Sequence, residues 1–140
     1  MFDDALIVLD SPGGASLTAI KMGLYIRSRG FKTAVADNAF CTSGCALLWL
    51  AGATRFVGKH SHLGLHSAAT MGAVPGKNVY FNRLVTDYIT QLGYSPEFAE
   101  YAVKAPPQSM TWMTGADAKK YGVEFHSLSE LKSFAAPPRE

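Results

Sequence analysis

Three short stretches hold side chains able to do chemistry. The first is Asp10-Ser11-Pro12-Gly13-Gly14. Pro12 fixes one torsion and removes a donor. The two glycines permit positive φ and bring backbone N–H groups close to whatever sits above them. A helix pattern follows directly, so those N–H groups also stand at the positive end of a helix dipole. Such a turn can cradle an anion or an oxyanion, or it can be an ordinary strand-to-helix connection. The second stretch is Cys41-Thr42-Ser43-Gly44-Cys45-Ala46. A serine at the start of a helix is usually just an N-cap. It is a nucleophile when it sits on a sharp strand-to-helix turn, with the N–H of the next residue, here Gly44, on the same side as its Oγ. Small neighbours let a substrate backbone approach. The third is His66, at the end of "LGLHS". His60, His62 and His126 sit in polar surroundings and read as surface residues. A lone histidine at a strand end is more often structural than catalytic, and a nearby serine in need of a base reverses that preference.

These residues need a scaffold, and the chain supplies alternating strand and helix patterns. "ALIVL" (Ala5 to Leu9) reads as a fully buried strand. Ser16 to Arg29 has near-helical apolar spacing, closed by Gly30 as a C-cap. "FKTAVA" (Phe31 to Ala36) is a second strand. "SGCALLWLAGA" is a helix apolar nearly all round, hence buried. "TRFVG" and "HLGLHS" are two more strands, and "MGAVPG" is a loop. Asn78 to Leu92 is a long amphipathic helix ended by Gly93. Pro96 to Lys104 is another, with Ser95 as N-cap and proline at the first helical position. "SMTWM" is strand-like, Thr114 caps the short helix "GADAKKYG", and "VEFHSL" returns as a strand. The alternation predicts an α/β fold with a mainly parallel β-sheet flanked by helices. We expect one domain over residues 1–134, with 135–140 as a C-terminal tail.

Bulk properties narrow the function. The chain has 140 residues, 48% hydrophobic and 17% charged, with a net charge of +2. That suits one core-rich domain and argues against disorder. No basic cluster suggests nucleic acid as a partner. The longest apolar run, Cys45 to Ala53, is far too short to span a membrane. Two cysteines four apart form no zinc framework, so no metal or other cofactor is expected. The chain enters strand-like sequence at once, with no signal peptide, which suggests that a natural N-terminal part precedes it.

The order and spacing of the three stretches resemble the Clp protease proteolytic subunit family, within the wider Clp/crotonase fold. That family carries a strand, N-S-P-G-G, a helix, a strand, A-S-M-G-A before a buried helix ending in A-G-A, and then a histidine. Here Gly14 and Ser43 are 29 positions apart, as the family's oxyanion glycine and serine are. "TWMTGADAKKYGVEF" is similar to the family's F-L-S-A-x-E-A-x-x-Y-G-L-V-D, so the likeness covers nearly the whole chain. It implies Ser43 as nucleophile, His66 as general base, and the N–H groups of Gly14 and Gly44 as an oxyanion hole. It also implies a peptide or unfolded-protein substrate and a homo-oligomer. For the latter, the helix from Asn78 offers Tyr80, Phe81, Leu84, Tyr88 and Ile89.

The chain departs from the family in two places. The family's third catalytic member, an aspartate, would fall near Met110, and no acid lies between Glu100 and Asp117. Gln108 or Ser109 is left to orient the histidine. The site is then a Ser–His dyad, a weaker triad with Gln108, or an inactive relic. The family's first strand and helix are also missing, which would leave a sheet edge unpaired or covered by a partner. Cys41 and Cys45 are small buried residues or a disulfide across the nucleophile turn. We favour the disulfide, since both cysteines fall here and a loop-to-first-turn spacing can bring their Cα atoms within the ~4.4–6.8 Å that bridging needs. A disulfide implies a periplasmic or secreted protein, with the cytoplasm as the alternative. A thiol nucleophile is the weaker reading, since neither cysteine holds the matched position. The expectation is thus a serine peptidase. Its alternatives are a Clp-like interaction module without catalysis and a crotonase-type acyl-CoA enzyme.

Overall fold

The computed structural model describes residues 4–68 and 78–134. The "MGAVPG" loop and the tail 135–140 lie outside the described residues. Four strands make a parallel sheet: β1 (Leu6–Leu9), β2 (Lys32–Val35), β4 (Arg55–Val57) and β7 (His126–Ser127), in the order β1-β2-β4-β7. Three more make a second sheet, β3 (Phe40–Thr42), β5 (His62–Leu65) and β6 (Thr111–Trp112), in the order β3-β5-β6. There β3 and β5 are parallel, and β6 runs antiparallel to β5. The sheets meet at Ser11. Beyond β1 the chain crosses to β3, where the Ser11 N–H donates to the Phe40 carbonyl at 2.9 Å. The Ser11 carbonyl accepts from the Thr42 N–H at 3.1 Å. This crossing delivers Pro12 to Gly14 beside the end of β3.

Helix α1 (Ser16–Arg29) follows that turn and ends at Gly30, whose φ of 66° only glycine adopts without cost. Helix α2 (Gly44–Leu50) is apolar on all sides because every side is covered. Trp49 is fully buried and its indole N–H donates to the Phe56 carbonyl at 2.9 Å. The carbonyls at the C-terminal end of α2 take side-chain donors from around it: Tyr88 to Leu47 at 2.7 Å, Tyr94 to Leu50 at 2.6 Å, and Arg27 to Ala51 at 2.9 Å. Helices α3 (Val79–Gln91), α4 (Pro96–Ala102) and α5 (Gly115–Lys120) complete the layer, and a 3-10 helix follows over Leu128–Phe134.

Four expectations change. First, β1 is not fully buried: it is an edge strand, and Val8 is 57% exposed. Second, no strand was expected over Phe40–Thr42. It forms because Ser11 and β5 flank it, and neither neighbour is local in sequence. Third, the strand expected from Val123 to Leu128 shrinks to two residues. The Val123 N–H instead closes α5 on the Ala118 carbonyl at 2.8 Å. Fourth, Tyr88 and Ile89 do not form an outer surface of α3. Both are buried in this chain's own core, and Phe81 and Leu84 are half-buried.

Candidate active site

Ser43 stands where β3 turns into α2, at the N-cap position of the helix. Its backbone has φ 56° and ψ −122°, and its hydroxyl caps nothing. Three other helices show what an ordinary cap looks like here. Asn78, Ser95 and Thr114 are extended at the same position, and each side chain accepts from the N–H three residues on, at 3.0 to 3.1 Å. A non-glycine residue at positive φ costs roughly 1–3 kcal/mol and persists only where its surroundings hold it. Those surroundings are visible. The Ser43 N–H donates to the Gly64 carbonyl of β5 at 2.9 Å. A disulfide joins Cys41 to Cys45 across the serine, with Cα atoms 5.1 Å apart and both residues buried.

The Pro12–Gly14 turn lies directly against this elbow. Gly13 has φ 102°, and a Cβ there would fall 2.6 Å from the Thr42 carbonyl oxygen and 2.8 Å from the Gly44 nitrogen. A Cβ on Gly44 would fall 3.2 Å from the Gly14 nitrogen. Backbone meets backbone, which larger residues would prevent. Among the described residues, neither the Gly14 N–H nor the Gly44 N–H donates a hydrogen bond. Two free donors therefore lie beside one uncapped hydroxyl.

His66 follows β5 by one residue. Thr42 pairs with Gly64 in the parallel register, so Ser43 and His66 leave the same end of the small sheet. His66 is half-buried, and its Nδ1 is buried without a partner among the described residues. No hydrogen bond joins Ser43 Oγ to His66 there either. In substrate-free sites such bonds are often long and tighten only on binding. Gln108 is exposed in the turn between α4 and β6 and makes no hydrogen bond to His66, nor does Ser109, whose N–H donates to the Pro106 carbonyl. Sequence reasoning missed two residues. Thr42 donates its hydroxyl to the Pro12 carbonyl at 2.9 Å. Ser67 is fully buried, its Oγ has no partner among the described residues, and its N–H donates to the Ala105 carbonyl at 2.8 Å. A buried threonine beside the serine was the only available signal for the first, and nothing local marked the second.

A cavity of about 170 Å³ opens beside the free N–H groups, walled by Gly13, Gly14, Ala19, Met22, Cys45 and Leu48. Among the described residues no charged side chain lines it. A larger cleft of about 600 Å³ lies elsewhere, among Asn82, Glu97, Glu100, Tyr101, Lys104 and Tyr121. Among the described residues neither cavity is lined by Ser43 or His66, and the smaller one is the one that borders the Gly14 and Gly44 donors. Among the described residues no helix is long and apolar enough to cross a membrane, and no cluster of His, Cys, Asp or Glu could hold a metal ion.

No protein-family model matches the chain, and no curated protein matches its sequence. Solved structures do resemble it. A Ser-to-Ala mutant of the 1510-N membrane-bound stomatin-specific protease superposes with a TM-score of 0.68 at 15% identity, over 94% of this chain and 67% of that one. A Lys-to-Ala mutant of the same protease, in complex with a substrate peptide, gives 0.71 at 17% identity, over 94% and 64%. An Asn-to-Asp mutant of ClpP1 from Listeria monocytogenes gives 0.61 at 17% identity, over 91% and 75%. The chain thus spans about two thirds of the length of the stomatin-specific protease. At these identities the likeness shows the fold, a Clp protease-like α/β architecture.

Proposed function

We propose that this chain is a serine hydrolase acting on peptides. One observation carries the reading: a serine at a helix N-cap that caps nothing, held at positive φ beside two backbone N–H groups that have no partner among the described residues. Ser43 Oγ attacks the scissile carbonyl carbon while its proton passes to Nε2 of neutral His66. The oxyanion that forms accepts hydrogen bonds from the Gly14 and Gly44 N–H groups. Collapse breaks the C–N bond, and His66 returns the proton to the leaving amine. Water then repeats the sequence on the acyl-enzyme and frees Ser43. Gln108 is given no step, so the pair works as a dyad. The shared fold supports the reading, since its neighbours are named as proteases and one holds a substrate peptide.

The crotonase alternative has little support, because the described residues that line the cavity beside the donors include no cation for CoA phosphates. The non-catalytic module is favoured by Nδ1 of His66, which among the described residues has no partner and no acid to orient it. Hydrolysis of a mixed peptide library, read by mass spectrometry, separates these readings. Ser43→Ala and His66→Ala should each lose about a hundredfold or more. The double variant should lose little beyond either, because the two act as one unit. Cleavage by Ser43→Ala at the wild-type rate would end the proposal.

The buried disulfide supports work in an oxidising compartment, periplasmic or secreted. Two free thiols in protein isolated from such a compartment would contradict that assignment. A homo-oligomer is also proposed, now through exposed Val79 and Tyr80 at the start of α3. A monomer mass in light scattering at high concentration would refute it.

A further inference from the structure

The two N–H groups assigned to the oxyanion come from separate segments. Gly14 belongs to the turn after β1, and Gly44 opens α2. To serve one oxygen they must converge to within ~2.7–3.1 Å of the same point. We propose that Thr42 is a positioning residue that sets this convergence by holding the Pro12–Gly13 peptide group against the head of α2. The inference rests on the serine-hydrolase reading above.

That peptide group is held at both ends. Its carbonyl, on Pro12, accepts from Thr42 Oγ1 at 2.9 Å. Its N–H, on Gly13, donates to Ser11 Oγ at 3.1 Å. The next peptide group carries the Gly14 N–H. Only the two torsions of Gly13 lie between them, and glycine restrains its torsions weakly. Free rotation there would swing the Gly14 donor away from the Gly44 donor. Fixing the preceding peptide plane restricts the swing, and the backbone contact of Gly13 with Thr42 and Gly44 limits it further. Thr42 suits the task because its own backbone is anchored. Its N–H donates to the Ser11 carbonyl at 3.1 Å, it pairs with Gly64 in the sheet, and it is buried. A hydroxyl on such a base is a fixed reference point. The residue adjoins Ser43 in sequence, so one short segment orients the nucleophile and both donors.

A purely structural threonine would affect stability alone. A positioning one affects the step in which negative charge develops on oxygen. A fluorophosphonate probe separates the two, because its phosphoryl oxygen occupies the oxyanion position while its reversible binding does not depend on it. We expect Thr42→Val, which keeps the shape and removes the hydroxyl, to lower the maximal labelling rate of Ser43 by about tenfold to a hundredfold. That is less than the loss from deleting a donor outright. The half-saturating probe concentration should change less than about twofold. Thr42→Ser should restore most of the rate. Ser11→Ala, which frees the other end of the same peptide group, should show the same selective loss and serves where Thr42→Val does not fold. Wild-type labelling rates in Thr42→Val, or in Ser11→Ala where that variant stands in, would overturn the proposal and leave the serine-hydrolase reading intact. So would a Thr42→Ser protein as slow as Thr42→Val. A wild-type protein that takes no label at Ser43 would overturn the underlying reading, and this proposal with it.

Discussion

Ser43 is costly to hold as it is held, and the residues around it show how that cost is met. Gly13 is the tightest contact. An alanine there meets positive φ and two backbone atoms closer than any Cβ normally approaches. We predict that Gly13→Ala lowers stability by about 1–3 kcal/mol or more and abolishes hydrolysis. Gly115→Ala should change stability by less than about 0.5 kcal/mol, because nothing lies within 4 Å of its added methyl. Urea denaturation of both proteins checks this, and equal midpoints would refute it. The roles proposed for Ser43, Gly14, Gly44 and His66 rest in the sequence on the order and spacing of three short patterns, none of which decides the chemistry alone. Thr42 was not legible there, since its partner Pro12 is 30 residues away. The absent acid was legible, and the structure sharpens that departure: among the described residues Nδ1 of His66 is buried without a partner, and Gln108 sits in an exposed turn with no hydrogen bond to it.

Among the elements, α2 is the hub. Its N-terminal end carries the site, and side chains from α1, α3 and the loop after α3 bond the carbonyls of its C-terminal half. α1 and α3 meet where Gly23 faces the Tyr88 hydroxyl, and a methyl on Gly23 would collide with it. That hydroxyl donates to the Leu47 carbonyl in the core. We predict that Gly23→Ala costs about 1–3 kcal/mol by overpacking. Tyr88→Phe should cost about 1–2 kcal/mol by removing a buried hydrogen bond. The two should not add: with the hydroxyl gone, the alanine methyl has less to hit. A double-mutant cycle by chemical denaturation tests this, and strict additivity would contradict the contact. Helices announced themselves well, through Gly30 after α1 and the Ser95-Pro96 start of α4. Of the short strands, β3 was not expected, and β7 is shorter than its pattern suggested. β3 and β7 have three and two residues, and they exist because distant strands supply their hydrogen bonds.

At the scale of the whole molecule, two sheets meet at Ser11 and set Ser43, the Pro12–Gly14 turn and His66 at one junction. The alternation of patterns predicted a mainly parallel α/β fold. It did not predict the division into two sheets, because a crossover at a single residue leaves no periodicity. Far from that junction, the Tyr101 hydroxyl donates to Asp117 at 2.9 Å and ties α4 to α5. This bond holds the Asp117 carboxyl below its ordinary value of 3.8. The resulting stabilisation is fully present above that value and is lost as pH falls through the lower folded value. Thermal melts should therefore show a gap between wild type and Tyr101→Phe that is constant near neutral pH and shrinks as the pH falls below the ordinary carboxyl value. A gap that widens on acidification would refute the assignment. The central claim concerns one oxygen atom. Wild-type protein treated with a fluorophosphonate, digested and mapped by mass spectrometry should carry the adduct on Ser43, with none on Ser43→Ala treated alike. An unmodified Ser43 after prolonged exposure of folded protein, or an adduct on another residue that survives in Ser43→Ala, would contradict the account.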